Sequence, residues 1–180
     1  MLFRSPHVGT QLTDQTTHDG RHDVLPAPEV PTISWLDSAT TAGVVDIVQS
    51  LATAHAEAYA VILFGSVARR EERPLDDPEP SDVDLLLLLD ASVTSENPRG
   101  WTHEQDVALV HTIGEADYRH QAPREIKCIF ATRNLDRCDE LFVENVAHDG
   151  ILLWARGPLP AALAAIAERG PLQALAAAAR

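Results

Sequence analysis

The sequence predicts an α/β fold: a small mixed sheet of three to four strands, with helices packed mainly on one face. Short apolar runs bounded by turn residues are typical of buried strands. They alternate here with longer segments whose apolar residues recur every three or four positions, as in amphipathic helices. The chain of 180 residues is long enough for one domain with a sizeable core.

The first elements are predicted from their periodicity and from the residues that end them. Residues 38–57 have apolar residues at helical spacing, with Ser38 available as the N-cap. Residues 59–64 form a β-branched apolar run that ends in glycine, which indicates a buried strand. A helix is predicted to begin in residues 66–72, and the acidic, proline-rich residues 71–80 predict a loop.

The later elements continue the alternation of strands and helices. A run of five leucines, too short for a typical buried helix, predicts the next strand. We predict strands at residues 82–90, 125–132 and 151–154. Helices are predicted between them, at residues 102–119 and 135–147.

Composition divides the chain into three parts. Residues 1–32 are polar, dotted with histidine and interrupted by proline, so we expect a mobile leader. Residues 33–157 carry the predicted domain. Residues 158–180 are rich in alanine, and residues 159–169 and 172–180 within them have high helix propensity but a weak apolar face. We expect a helical tail there.

The charge of the chain limits its partners. Its formal net charge is −13, which opposes strong nonspecific binding to nucleic acid and suits a basic protein partner or a metal-bound small anion. The two cysteines, Cys128 and Cys138, make no disulfide framework, and we interpret both as thiols. No secretory signal and no apolar run of roughly 18 residues is present, so we expect a cytoplasmic protein without membrane association.

Gly65 and Ser66 stand where the first predicted strand meets a helix. Glycine lets an anion approach the backbone closely at such a junction, where free N–H groups point outward. The Ser66 hydroxyl is a further donor. The pair therefore indicates a phosphate site.

Asp82 and Asp84 begin the second predicted strand. Residues at i and i+2 of a strand project from the same face, so the two carboxylates are expected to point at one spot. Hard oxygen ligands suit Mg²⁺, which binds a few carboxylates together with substrate phosphates. A phosphate site beside a magnesium site implies nucleotide chemistry.

The two motifs together resemble those of a known family. Gly65-Ser66-Val67-Ala68-Arg69 followed by Ser81-Asp82-Val83-Asp84-Leu85 is similar to the signature of the minimal nucleotidyltransferases of the polymerase-beta superfamily, including its antitoxin-type members. The specificity lies in the combination of both motifs with their apolar strands. The resemblance covers residues 38–156.

The resemblance implies a role for each matching residue. Gly65 and Ser66 are implied to hold the triphosphate of a nucleotide, expected to be ATP. Asp82 and Asp84 are implied to bind Mg²⁺, with two ions present during turnover. Arg69 is either a further contact to the triphosphate or an exposed helical arginine.

Three features depart from the family pattern. Arg70 stands where the family usually has glycine, and residues 67–81 form a longer connection than usual. The family also carries a third acid on the neighbouring strand, and both Glu125 and Lys127 fit that place. Glu125 is our candidate for the catalytic carboxylate; if Lys127 takes the place, the catalytic base is missing.

The sequence therefore predicts an enzyme that moves a nucleoside monophosphate from a nucleoside triphosphate to an acceptor hydroxyl. The acceptor would belong to a protein such as a toxin partner, a small RNA or a drug. The alternative is a catalytically degenerate binding module of the same fold that neutralises its partner by contact. Retention of a usable Glu125 favours the enzyme, whereas a Lys127 side chain directed at the aspartates favours the binding module.

Overall fold

A computed structural model describes residues 27–169 of the chain. Within them, the strands are β1 (Ala58–Phe64), β2 (Val83–Leu89), β3 (Ile126–Thr132) and β4 (Ile151–Ala155). The helices are α1 (Ser38–Ala54), α2 (Gly65–Arg69), α3 (His103–His120), α4 (Glu140–Asp149) and α5 (Ala164–Glu168), the last preceded by a 3-10 turn at Ala161–Leu163. The predicted α/β class is confirmed.

The sheet is mixed, with the strand order β3-β2-β1-β4. β1 runs antiparallel to both β2 and β4, while β2 and β3 are parallel. Asp84 is therefore flanked on one side by Phe64, at the end of β1, and on the other by Lys127, near the start of β3. This topology brings the end of β1 and the starts of β2 and β3 to one end of the sheet.

Helices cover both faces of the sheet. The two long helices, α1 and α3, pack on one face, as predicted, and we call it the α1/α3 face. Its buried residues on β1 and β2 include Val61, Leu63, Val83, Leu85, Leu87 and Leu89. The opposite face, here called the α4 face, is covered by α4 and α5 over Ala60, Ile62, Leu86 and Leu88. Helices were predicted for residues 135–147 and 159–169, but their packing on this second face corrects the expectation of helices mainly on one face. The face that a helix covers depends on tertiary contacts and not on its own periodicity.

The starts of two helices differ in detail from the prediction: α1 begins at Ser38, as predicted, but another residue caps it, and α4 begins later than predicted. The N-cap of α1 is Asp37 rather than Ser38, and its carboxylate accepts a hydrogen bond of 2.8 Å from the Thr40 backbone N–H. Helix α4 begins at Glu140 rather than at residue 135. Leu135 has a φ of 61°, which interrupts helical geometry, and Asp139 caps the helix by accepting from two backbone N–H groups.

The described part of the predicted alanine-rich tail packs against the domain. Leu163 and Ile166 are fully buried against the α4 face, so this segment contributes to the core. Residues 1–26 of the predicted leader and residues 170–180 of the predicted tail lie outside the described residues. Between residues 27 and 169, no helix combines the length and the apolar character needed to cross a bilayer.

Candidate functional site

Gly65 lies directly against an aspartate of the neighbouring strand. It is the first residue of α2, immediately after β1, and its φ is +77°. A Cβ at this position would lie 2.7 Å from Oδ2 of Asp84. Only glycine combines this backbone conformation with so close an approach, since other residues are strained at positive φ. The structure thus places the Gly65-Ser66 turn beside the aspartate strand.

Asp82 directly precedes β2, and Asp84 is the second residue of this strand, on the α4 face. Asp84 is half-buried, and this burial raises the pKa of its carboxyl group, as does the nearby charge of Asp82. The positive charge of Lys127 opposes both effects. Ionised Asp84 is thus poorly compensated, and a cation bound beside it would be stabilised.

Lys127 lies beside both aspartates, on the neighbouring strand β3. It pairs with Asp84 between β2 and β3, and its ammonium group donates a hydrogen bond to Oδ2 of Asp82. This hydrogen bond raises the pKa of Lys127. The same ammonium nitrogen lies 3.5 Å from Oε2 of Glu125. A positive charge therefore stands between the Asp82 and Glu125 carboxylates.

Glu125, the candidate third acid, lies just before β3. Its backbone carbonyl accepts a hydrogen bond of 2.8 Å from the Val83 N–H, which aligns it with the start of β2. Its side chain is 67% exposed and contacts Lys127. Both candidates for the third position therefore lie at the site, but the ammonium group of Lys127 makes the direct contact to Asp82.

Arg69 is held by two carboxylates. Its Nε donates to Glu71 at 2.7 Å and its Nη1 donates to Asp149 at 2.9 Å. These hydrogen bonds raise the pKa of Arg69. Burial works in the opposite direction at Asp149, but hydrogen bonds from His148 and Arg69 hold the pKa of Asp149 below its usual value. Arg69 is thereby positioned beside the Gly65 turn, with part of its donor capacity already used.

A cleft of about 270 Å³ adjoins the Gly65 turn between α2 and α4. It is lined by Phe64, Gly65, Arg69, Phe142, Asn145, Val146 and Asp149. The rings of Phe64 and Phe142 pack edge to face, with their centroids 5.6 Å apart. The cleft thus combines an aromatic wall with polar groups, next to the glycine turn.

The predicted loop at residues 71–80 is confirmed, and a buried arginine fixes it to the sheet. Arg124 is only 6% exposed and donates to the backbone carbonyls of Arg73, at 2.9 Å, and Ser81, at 2.8 Å. The Ser81 hydroxyl accepts a further bond from the Arg73 N–H. These contacts position the residue before Asp82. No local pattern could indicate the role of Arg124, because its partners are backbone atoms distant along the chain.

Arg70 occupies a position that favours glycine. It caps the end of α2 with a φ of 59°, in the left-handed region. Its guanidinium group lies 4.4 Å from the centroid of the Trp35 ring, a cation–π contact that compensates part of the backbone cost. Arg70 thus meets a backbone requirement that glycine most often fills.

The donor set fits one divalent cation. Asp82 and Asp84 offer hard oxygen ligands on one face, beside the space kept open by Gly65. Among residues 27–169 no three His, Cys, Asp or Glu side chains converge as metal ligands, and the Lys127 ammonium group lies between the carboxylates of Asp82 and Glu125. The aspartate pair thus fits one divalent cation together with phosphate oxygens, and the two Mg²⁺ ions implied by the resemblance stay a prediction.

Comparisons with known proteins add little beyond the fold. No model of a protein family matches the chain, and no curated protein matches it. The structure is similar to that of a toxin-antitoxin with AMP-PNP, at 15% identity and a TM-score of 0.40, over 79% of this chain and 95% of that one. It is also similar to a mutant of the toxin-antitoxin MntA-HpeT, at 16% identity and a TM-score of 0.42, over 74% and 91% of the two chains. Likenesses this distant carry no argument about activity, which has to come from the site itself.

Proposed function

We propose that the protein is a metal-dependent nucleotidyltransferase that binds a nucleoside triphosphate at the Gly65-Ser66 turn and the aspartate pair. The observation that carries the proposal is the contact between Gly65 and Asp84, where a Cβ would lie 2.7 Å from the carboxylate oxygen. A phosphate held by the turn and a cation held by the aspartates would then share one site.

Each residue has a distinct role in the proposed reaction. Asp82 and Asp84 would hold Mg²⁺, and Gly65 and Ser66 would hold the triphosphate through backbone N–H groups and the Ser66 hydroxyl. The bound ion supplies positive charge to neutralise the leaving pyrophosphate. Arg69, held by Glu71 and Asp149, would contribute positive charge at the edge of the triphosphate site.

The transfer itself exchanges one phosphorus–oxygen bond for another. The acceptor oxygen bonds to the α-phosphorus, the bond from this phosphorus to the pyrophosphate oxygen breaks, and pyrophosphate leaves with the electron pair. Glu125 is the candidate that takes the proton of the acceptor hydroxyl. Because its carboxylate lies 3.5 Å from the Lys127 ammonium group, Glu125 would have to leave this contact to reach the acceptor hydroxyl, and we expect slow turnover.

In this proposal the nucleoside binds in the cleft beside Gly65. This cleft holds about 270 Å³ and offers the Phe142 ring for apolar contact and the Asn145 amide for hydrogen bonds. ATP is the expected nucleotide. The acceptor in this proposal is a hydroxyl of a basic protein such as a toxin, because a chain with a net charge of −13 attracts a basic partner.

Substitution of the aspartates tests the binding step. The double variant Asp82→Asn/Asp84→Asn is expected to weaken Mg²⁺-dependent ATP binding by at least ~100-fold, since both charged ligands are lost. Isothermal titration calorimetry with ATP, with and without Mg²⁺, measures the change. Asp90→Asn is the matched control, because Asp90 follows β2 at its other end. Equal ATP affinity in the double variant and the parent would rule out these ligands.

Incubation with radiolabelled ATP and a candidate partner tests the transfer. Glu125→Gln is expected to abolish labelling of the acceptor while retaining ATP binding, since only the proton acceptor is removed. Glu96→Gln is the control, an exposed carboxylate in the loop that follows β2 at its other end. Full labelling by Glu125→Gln would show that Glu125 is not the base.

One observation favours a second function. The Lys127 ammonium group neutralises Asp82 directly, as expected of a degenerate site retained for binding a partner. Such a binding module would neutralise a basic partner by contact without transferring label. Absence of labelling by the parent, together with labelling by Lys127→Asp, would support this function over the enzyme.

A further inference from the structure

We infer that Lys127 is a built-in cation that takes the place of a second metal ion, so that the site binds its nucleotide with a single divalent ion. This inference rests on the proposed function and concerns how the same site balances charge. It makes Lys127 a positioning residue that acts through Asp82.

The strand register fixes Lys127 at this position. β2 and β3 are parallel and pair Asp84 with Lys127, so both side chains leave the sheet on the α4 face. The Lys127 side chain reaches back along the strands, and its ammonium nitrogen contacts Asp82 and lies 3.5 Å from Glu125. The positive charge is thus located among the carboxylates rather than in open solvent.

The local charges balance one divalent ion. Asp82, Asp84 and Glu125 supply three negative charges and Lys127 supplies one positive charge, which leaves a net charge of −2. One Mg²⁺ neutralises this set before the triphosphate arrives. A second Mg²⁺ would be repelled by the ammonium group, since like charges a few ångströms apart are strongly unfavourable.

A role in folding does not account for this ion pair. The side chains of Lys127 and Asp82 are 48% and 35% exposed, and ion pairs with such exposure contribute little to stability. We therefore expect the Lys127–Asp82 ion pair to affect the binding of ions and nucleotides at the aspartates. This expectation separates Lys127 from a merely structural residue.

Counting bound Mn²⁺ in the presence of a non-hydrolysable ATP analogue tests the inference. Electron paramagnetic resonance of free Mn²⁺ gives the number of ions per bound nucleotide, and a separate calorimetric titration gives the nucleotide bound. The parent is expected to bind one Mn²⁺ per nucleotide. Lys127→Asp is expected to bind two, because it adds a ligand and removes the repelling charge. Lys127→Arg, the matched control, keeps the charge and is expected to bind one.

Mn²⁺ alone provides a second measurement that does not depend on nucleotide. Lys127→Met is expected to raise the Mn²⁺ affinity of the free protein on the order of fivefold, the effect of removing one positive charge about 5 Å away in a largely solvated site. Lys127→Arg is expected to leave this affinity unchanged. Circular dichroism and thermal melting check that each variant is folded.

The possible outcomes distinguish a failure of the single-ion inference from a failure of the proposed nucleotidyltransferase function. Two Mn²⁺ per nucleotide in the parent, or one in folded Lys127→Asp, would overturn the inference while leaving nucleotide binding intact. An unchanged Mn²⁺ affinity in Lys127→Met would also overturn it. A parent that binds no nucleotide at any Mn²⁺ or Mg²⁺ concentration would instead overturn the proposed function.

Discussion

The two faces of the sheet differ most at the starts of β2 and β3. On the α1/α3 face, Val83, Leu85 and Leu87 are fully buried beneath the long helices. On the α4 face, the same stretch of sheet presents half-buried Asp84 and the exposed Lys127, while Ile129 remains 43% exposed. One face is closed over its length, and the other opens where the charged side chains are found.

This difference shows how one small domain separates stability from chemistry. The leucines of β2 alternate between two apolar layers, which fixes the strand and its register. The short helix α4 packs its Phe142 against Phe64 and leaves the starts of β2 and β3 uncovered. The open end can therefore carry poorly compensated charge without disturbing the core.

Truncation of a leucine on the closed face is expected to have the largest effect on stability. Leu87→Ala removes a fully buried side chain and should lower the free energy of unfolding by about 2–5 kcal/mol. Ile129→Ala, on the open face, should cost no more than about 1 kcal/mol. Chemical denaturation measures both. Similar losses for the two variants would contradict the division into a closed and an open face.

A methyl group at Gly65 tests the contact between the two motifs. Gly65→Ala should cost about 1–2 kcal/mol of stability from its positive φ, and it should weaken ATP binding by at least ~10-fold by displacing Asp84. Gly114→Ala is the matched control, since a Cβ built there, in the middle of α3, meets nothing within 4 Å apart from its chain neighbours and the helix's own backbone. It should stabilise the protein by about 0.5–1 kcal/mol. An unaltered ATP affinity in Gly65→Ala would show that the Gly65 turn takes no part in ATP binding.

The smallest expected effect concerns the ionisation of Asp84. Its folded-state pKa is raised above the ordinary value of 3.8, so the folded protein holds this proton more tightly than the unfolded chain. Stability contributed by this group is therefore lost as the pH rises from about 3.8 through the raised pKa. Asp84→Asn removes the cost of burying an ionised carboxylate beside Asp82, and it should raise the Tm by about 1–2 °C at pH 7. The advantage should vanish at acidic pH; an advantage of equal size at pH 3 and pH 7 would exclude this cause.

The local sequence pattern was enough to predict which residues form much of the site, but it did not predict how their charges are paired. The apolar run before Gly65 and the alternation of Asp82 with Asp84 were sufficient to predict a glycine turn beside two carboxylates. The helix boundaries were predicted less well, because the left-handed conformation of Leu135 and the N-cap at Asp139 depend on how the chain enters α4. The hydrogen bonds from Arg124 to the loop at residues 71–80 and to Ser81 were not predicted, since the accepting carbonyls lie 51 and 43 residues away along the chain.

The sequence by itself determined the α/β class, the strand that carries the aspartates and the turn that carries Gly65, because each depends on periodicity and turn chemistry within a few residues. Only the tertiary structure decided whether Glu125 or Lys127 contacts Asp82. That choice depends on the register between β2 and β3, which is set by contacts across the sheet and by the buried faces of both strands. A shift of one residue would turn Lys127 towards the opposite face, so the charge at the site is a property of strand pairing rather than of either strand alone.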